Sequence, residues 1–260
     1  RSAALEVPRS VAAAHMSVPS SIGVIGVGTI SSACVRGLCG AFPEGSPKFV
    51  VSPRNAAKAA ALVKEFGSDR ITIAADNQAV LDAVDTVILA VLPPQAESVM
   101  GPLSFKKSTL VVSLMASIKL EQLKQWTGCD RICVAMPLPP VATRNGCTIV
   151  VPGDVPEALA IFNAVGKAVP VADEEQFRRL QCMTCLMGDL YERQKTAQDW
   201  LTDNGVAPES AAAFVGGIFH SITNDSKDAT PDTLAHLVGE QTPGGMNEMV
   251  IAEQRADASY

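Results

Sequence analysis

Gly26 and Gly28 close the apolar run Ile22, Val24, Ile25 and Val27 and stand directly before Thr29 and Ile30. Glycines at such a point let the chain turn sharply from a strand into a helix, whose first N–H groups and positive dipole end suit a phosphate. The third small residue of a G-x-G-x-x-G/A pattern is present only as Ser31, so this turn alone is a weak signal. A second polar group, Ser52, Pro53, Arg54 and Asn55, follows the apolar residues Phe49, Val50 and Val51. An acidic side chain at that point would hold a ribose 2′-hydroxyl, whereas a hydroxyl, a guanidinium and an amide suit a 2′-phosphate. The cofactor expected is therefore NADP(H), with NAD(H) as the alternative. At the far end, Thr242, Pro243, Gly244, Gly245, Met246 and Asn247 form a turn that exposes backbone N–H groups before a helix. That turn reads either as an anion site for a substrate carboxylate or as plain punctuation.

Other reactive side chains carry less. Lys195 and Asp199 lie one helical turn apart, a spacing that serves some dehydrogenases but also decorates ordinary helix surfaces. Cys182 and Cys185 form a C-x-x-C inside a helical pattern rather than after a strand, which predicts core thiols and not a redox pair. The three histidines, His15, His220 and His236, share no metal-ligand spacing with the seven cysteines, so no metal is expected.

The elements that must hold these groups are legible from periodicity. Strand patterns over residues 22–27, 49–51, 71–74, 85–91, 110–114, 131–135, 147–151 and 168–171 alternate mostly with helical patterns, such as 29–38, 56–66, 77–83, 119–126 and 155–165. This alternation predicts a doubly wound parallel α/β sheet whose strand-end loops line a cofactor cleft. From residue 173 the pattern is only helical. One long helix is expected to run to Asn204 and Gly205, then an apolar helix over 208–223, a short one over 233–238 and a last one from Met246. The expected domains are 16–172, a Rossmann-type dinucleotide-binding unit, and 173–260, an all-helical dimerisation and substrate unit. Residues 1–15 read as an expression-tag leader ahead of Met16.

Composition sets outer limits. The 260 residues are 47% hydrophobic and 18% charged, enough for a sizeable core. A net charge of -6 and a pI near 5.1 argue against nucleic acid or an anionic membrane as partner and leave a small molecule. Apolar runs are strand-sized, too short to span a bilayer. Seven cysteines without a secretory segment point to reduced thiols in the cytoplasm.

The chain resembles the pyrroline-5-carboxylate reductase family along nearly its whole length. The match is carried by Ile25 to Gly28 with Val35, Arg36, Gly37 and Leu38; by Ser52 to Asn55; by Ile88 to Val91 with Pro93; and by Val111 to Leu114 with Ala116. It continues through Met136 and Pro137, Gly166 and Lys167, Gly188 and Tyr191, Asn204 to Val206, and Thr242 to Gly245. The resemblance implies NAD(P)H-dependent reduction of a cyclic imine by a Rossmann domain and a helical domain that interlocks two subunits, as a homodimer or higher oligomer. It also implies roles. Gly26, Gly28, Thr29, Ile30, Ser52, Arg54, Asn55, Ala90, Val91, Pro93 and Ala116 would hold the cofactor. Met136, Pro137, Leu138, Tyr191, Pro243, Gly244 and Gly245 would hold the substrate, and Asn247 and Thr242 would act at the imine. Departures cluster at the substrate: Leu92 stands where the family has Lys, Leu138 and Pro139 replace Asn and Thr, and Asn247 replaces Thr. Two other readings stay open: a β-hydroxyacid dehydrogenase or imine reductase-like enzyme using Lys195, and a non-catalytic NADP(H)-binding redox sensor.

Overall fold

The computed structural model describes residues 17–257, so the leader, Met16 and His15 lie outside the described residues. By contacts the chain divides into two compact units, the first closing at Met183 and the second beginning at Thr184.

The first unit opens with strand β1 (Ser21–Ile25), helix α1 (Thr29–Ala41), β2 (Lys48–Val51), α2 (Ala56–Phe66), β3 (Ile71–Ile73), α3 (Asn77–Ala83) and β4 (Thr86–Leu89). A 3-10 turn, Pro93–Gln95, leads into α4 (Ala96–Met100), β5 (Leu110–Ser113), α5 (Leu120–Thr127) and β6 (Arg131–Met136). A second 3-10 turn, Pro139–Thr143, precedes β7 (Gly146–Val151), α6 (Pro156–Ala164), β8 (Gly166–Pro170) and α7 (Glu174–Cys182). The strands form one sheet in the order β3-β2-β1-β4-β5-β6-β7-β8. Strand order reverses between β1 and β4, which opens a crevice at their carboxyl ends.

The strands form where β-branched and large apolar residues are contiguous, because both faces are covered. Ile22, Val24 and Ile88 face one buried cluster, while Ile25, Val87 and Leu89 face the other. Helices α2 and α3 begin at side-chain caps: Asn55 Oδ1 accepts from Lys58 N–H at 3.3 Å and Asp76 Oδ1 from Ala79 N–H at 2.8 Å. Arg70 is only 8% exposed and has its guanidinium satisfied by the carbonyls of Cys39, Ser46 and Pro47, which ties the end of α1 to the loop before β2. Burial pushes the Cys34 and Cys133 thiols up to about 12 from 9.0.

Three local expectations change. The β6–β7 pair is antiparallel, not parallel, because a short 3-10 connection cannot make the crossover that parallel strands require. The long helix expected from residue 173 is broken by a 3-10 turn, Met183–Cys185. Its first part, α7, belongs with the sheet: Phe177 is buried in the second cluster, and Glu174 Oε1 accepts from Leu120 N–H at 2.9 Å. Cys182 ends α7, Cys185 ends the 3-10 turn, and both are exposed within the chain, not core thiols.

The second unit holds α8 (Leu186–Asp203), α9 (Pro208–Asp225), α10 (Pro231–Gly239) and α11 (Met246–Ala256). Helices α8 and α9 pack together, yet among these four helices only Ala211 and Val215 are buried. Trp200 (64%), Phe214 (65%) and Ile222 (63%) are exposed within the single chain; the apolar pattern of α9 suits burial in an all-helical dimer. No helix of the described residues is long and apolar enough to cross a membrane.

Candidate active site

The glycine turn is built by three loops locking together. Gly26 has φ +96°, and a Cβ there would sit 2.5 Å from Ala90 O, so β1 leaves the sheet pressed against the end of β4. Ser31 completes the turn instead of spoiling it. Its hydroxyl donates to Gly26 O at 2.7 Å and accepts from Gly28 N–H at 2.8 Å, a tie that a third glycine could not make. The buried Ser52 Oγ accepts from Gly26 N–H at 3.0 Å, joining the β1 and β2 ends. Beyond this knot α1 begins, with first-turn N–H groups that have no acceptor within a helix.

These loops enclose a cleft of about 420 Å³ at the β1/β4 switch point. It brings together Gly26, Gly28, Ser52, Arg54, Asn55, Ala90 and Val91, all expected for the cofactor, and no acidic side chain lines it. Thr29, Ile30 and Pro93 belong to the flanking elements rather than the lining, and Ala116 lines a separate crevice beside Phe177. Asn55 spends its side-chain oxygen capping α2.

Two contacts of these loops and helices escape sequence reasoning. Gln95 Oε1 accepts from an Arg54 guanidinium N–H at 2.8 Å, bridging the loops after β2 and β4 across the end of β1. Lys58 Nζ donates to Thr29 Oγ1 at 3.1 Å, linking the first turns of α1 and α2. A lysine in a first turn opposes the helix dipole, which is the sequence signal that could have found it. Gln95 has no such signal, since only the strand order brings it to Arg54. A tight glycine turn, Arg54 in the lining and no carboxylate there fit a dinucleotide bearing a 2′-phosphate.

At the carboxyl edge of the same sheet, Met136 ends β6 half-buried, Pro137 is buried and Leu138 half-buried. Residues 90–95, 114–117 and 137–143, in the loops after β4, β5 and β6, contain no ionisable side chain, and Lys119 and Arg144 stand at the far ends of the last two loops.

In the second unit, Tyr191 is exposed on α8 and the Thr242–Gly245 turn caps α11. Gly245 N–H donates to Thr242 O at 2.9 Å, Gly244 N–H to Glu248 Oε2 at 2.6 Å, and Asn247 Nδ2 to Gln241 Oε1 at 2.8 Å. The turn expected to receive a substrate carboxylate thus spends these donors internally, one of them on its own carboxylate. Lys195 Nζ donates to Asp199 Oδ2 at 2.5 Å on the exposed face of α8, and this bond to the carboxylate raises the lysine pKa.

Comparisons with known proteins agree with this architecture. A family model described as "NADP oxidoreductase coenzyme F420-dependent" matches residues 21–117. The chain is 28% identical over 195 residues to pyrroline-5-carboxylate reductase of Pisum sativum, covering 72% of this chain and 68% of that protein. It is 33% identical over 161 residues to that of Escherichia coli (strain K12), covering 58% of this chain and 59% of that protein. Among solved structures, the pyrroline-5-carboxylate reductase of Coxiella burnetii aligns with a TM-score of 0.77 at 22% identity, covering 93% and 92% of the two chains. The Plasmodium falciparum pyrroline carboxylate reductase with NADP bound gives 0.74 at 16% identity, covering 92% and 91%. An imine reductase from Pseudomonas sp. gives 0.59 at 17% identity, covering 93% and 88%, a more distant likeness of fold.

Proposed function

We propose that this chain, a divergent member of the pyrroline-5-carboxylate reductase family, uses NAD(P)H, with NADPH preferred, to reduce the C=N bond of a small cyclic imine. The observation that carries the reading is the switch-point cleft, where a knotted glycine turn meets Arg54 and no carboxylate lines the wall.

When bound, the cofactor supplies the hydride. The chain's work is to hold, orient and polarise. Arg54 and Lys58 are assigned to the 2′-phosphate, Gly26, Gly28 and the start of α1 to the pyrophosphate, and the uncharged loops after β4 to β6 to a water-poor reaction space. Asn247 is assigned to the imine nitrogen. A carboxamide polarises by hydrogen bonding but does not release a proton at neutral pH, so the proton comes from the substrate's own iminium, water, Thr242 or Tyr191.

The reading through Lys195 is weaker on physical grounds: Lys195 pairs with Asp199 on the exposed face of α8, an i,i+4 ion pair ordinary for a helix surface. Purified protein mixed with NADPH and a panel of cyclic imines, followed by loss of NADPH absorbance, tests the main reading. Turnover is expected. Tight NADPH binding without turnover of any imine would leave the redox-sensor reading in its place.

We further propose a homodimer through α8–α11. These helices fully bury only Ala211 and Val215 within one chain, and an apolar groove of about 750 Å³ runs between α8 and α9 past Trp200 and Phe214. Light scattering on Phe214→Glu should show monomer where the parent chain shows dimer; an unchanged mass would refute that interface.

A further inference from the structure

Arg54 and Gln95 both line the switch-point cleft, one from the loop after β2 and the other from the loop after β4. Their hydrogen bond, from Arg54 Nη1 to Gln95 Oε1 at 2.8 Å, therefore spans the crevice, since β1 lies between those two strands. The two partners are unequally held. Pro93 and Pro94 fix φ in the residues before Gln95, whose N–H donates to Leu92 O at 2.8 Å. The Gln95 carbonyl accepts from Ser98 Oγ at 3.0 Å, and Ala96 behind it is fully buried. Arg54 is exposed, and Gln95 is its one hydrogen-bond partner among the described residues. A guanidinium on a long free stem samples many rotamers and loses that freedom when it binds an anion.

We infer that Gln95 is a positioning residue for cofactor selection: it holds Arg54 by Nη1 and leaves the Nε and Nη2 N–H groups for the 2′-phosphate of NADPH. The inference rests on the NADPH reading of the cleft and deepens it by a residue that touches the arginine and not the phosphate. The Nε–H and one Nη2–H lie parallel along one edge of the guanidinium, a fork that matches two phosphate oxygens. An acceptor on Nη1 occupies the other side of the group and keeps that fork open. The acceptor is also neutral. A carboxamide orients the guanidinium without cancelling its charge, whereas a carboxylate in its place would compete with the phosphate. Asn55, the neighbouring amide, does not share the task, since its Oδ1 caps α2. Holding Arg54 in advance lowers the ordering cost of binding, and only a cofactor that carries the 2′-phosphate benefits.

Fluorescence titration of the full chain with NADPH and with NADH tests this by binding alone, so the result does not depend on turnover of any imine. Gln95→Met keeps the length of the side chain and removes the acceptor. It should lower the NADPH-to-NADH affinity ratio about three- to tenfold. Gln95→Ala should lower it in the same direction, which separates loss of the acceptor from any misfit of the methionine. In an Arg54→Ala background the Gln95→Met substitution should leave the ratio unmoved, because the group it positions is gone. Displacement by adenosine 2′,5′-bisphosphate, set against adenosine 5′-phosphate, should repeat the pattern and so place the effect at the 2′-phosphate. A ratio that neither Gln95 variant moves, or one that Gln95→Met lowers equally with and without Arg54, overturns the inference and leaves the NADPH reading standing. A parent chain that binds NADPH no better than NADH overturns that reading and the inference together.

Discussion

Adding one methyl group at Gly26 and, separately, at Gly28 should have opposite consequences, and the geometry gives the sizes. At Gly26 the backbone has φ +96°, and the new Cβ would lie 2.5 Å from Ala90 O and 2.6 Å from Ala90 C. The positive φ costs an L-residue about 1–2 kcal/mol. The clash is with backbone, and Ala90 N–H is bonded to Ile25 O at 2.8 Å, so relief requires parting β1 from β4. Overpacking of this kind adds about 1–3 kcal/mol, for a total of about 2–5 kcal/mol. Set against a domain stability of about 5–15 kcal/mol, Gly26→Ala should move the urea midpoint far down at constant slope. Gly28 has φ −101° and ψ −169°, which any residue adopts, and its Cβ would meet nothing closer than Ser31 Oγ at 3.9 Å. Gly28→Ala should therefore leave the midpoint unchanged or raise stability by up to about 1 kcal/mol through the unfolded chain. The same methyl projects into the cleft, where close backbone approach is needed, and should weaken NADPH binding at least about tenfold. Urea unfolding and NADPH fluorescence titration of both variants read the two quantities. A Gly26→Ala midpoint equal to the parent's, or parent-like NADPH affinity in Gly28→Ala, would refute this division of labour.

Arg54→Ala should weaken NADPH binding about tenfold or more while NADH changes little; equal losses by titration would remove Arg54 from 2′-phosphate recognition. Gln95→Glu should lower the same NADPH-to-NADH preference by pairing the guanidinium with a carboxylate, and an unchanged ratio would show that the Arg54–Gln95 contact has no bearing on the cofactor. Asn247→Ala should cut kcat on a genuine imine about tenfold with dimer mass and NADPH affinity preserved, and parent-like kinetics would make the turn purely structural. The Cys34 and Cys133 thiols, held up to about 12 against 9.0 when unfolded, keep protons in the folded state that the unfolded chain loses. Their contribution is complete below pH 9.0 and falls as pH rises toward 12, so urea midpoints should decline across that window, and less steeply in a Cys34→Ala/Cys133→Ala variant.

Much of the first unit was legible because its signals are local. A β-branched run such as Ile22 to Val27 followed by glycines can do little else than form a buried strand and a turn, and the Ser52 to Asn55 group follows its strand by sequence adjacency alone. The antiparallel β7 was not legible, because strand direction depends on where a short connection places its ends. Nor was the break at Met183–Cys185, where the apolar stripe continues through both helices and hides the change of unit.

The site divides along the same line. By itself the sequence determined which side chains can do chemistry and in what order they come: a phosphate turn, a cationic strand end, uncharged loops, and a Pro-Gly-Gly turn with Asn247 behind it. Which of their hydrogen bonds are already spent was decided only by the tertiary structure, since those partners are distant in sequence or depend on helix geometry. Folding makes Ser31 the tie of the glycine turn, sets Gln95 on Arg54 across the end of β1, and turns Glu248 onto the Gly244 N–H. Residue types state what a group can do; only packing states what it has left to offer.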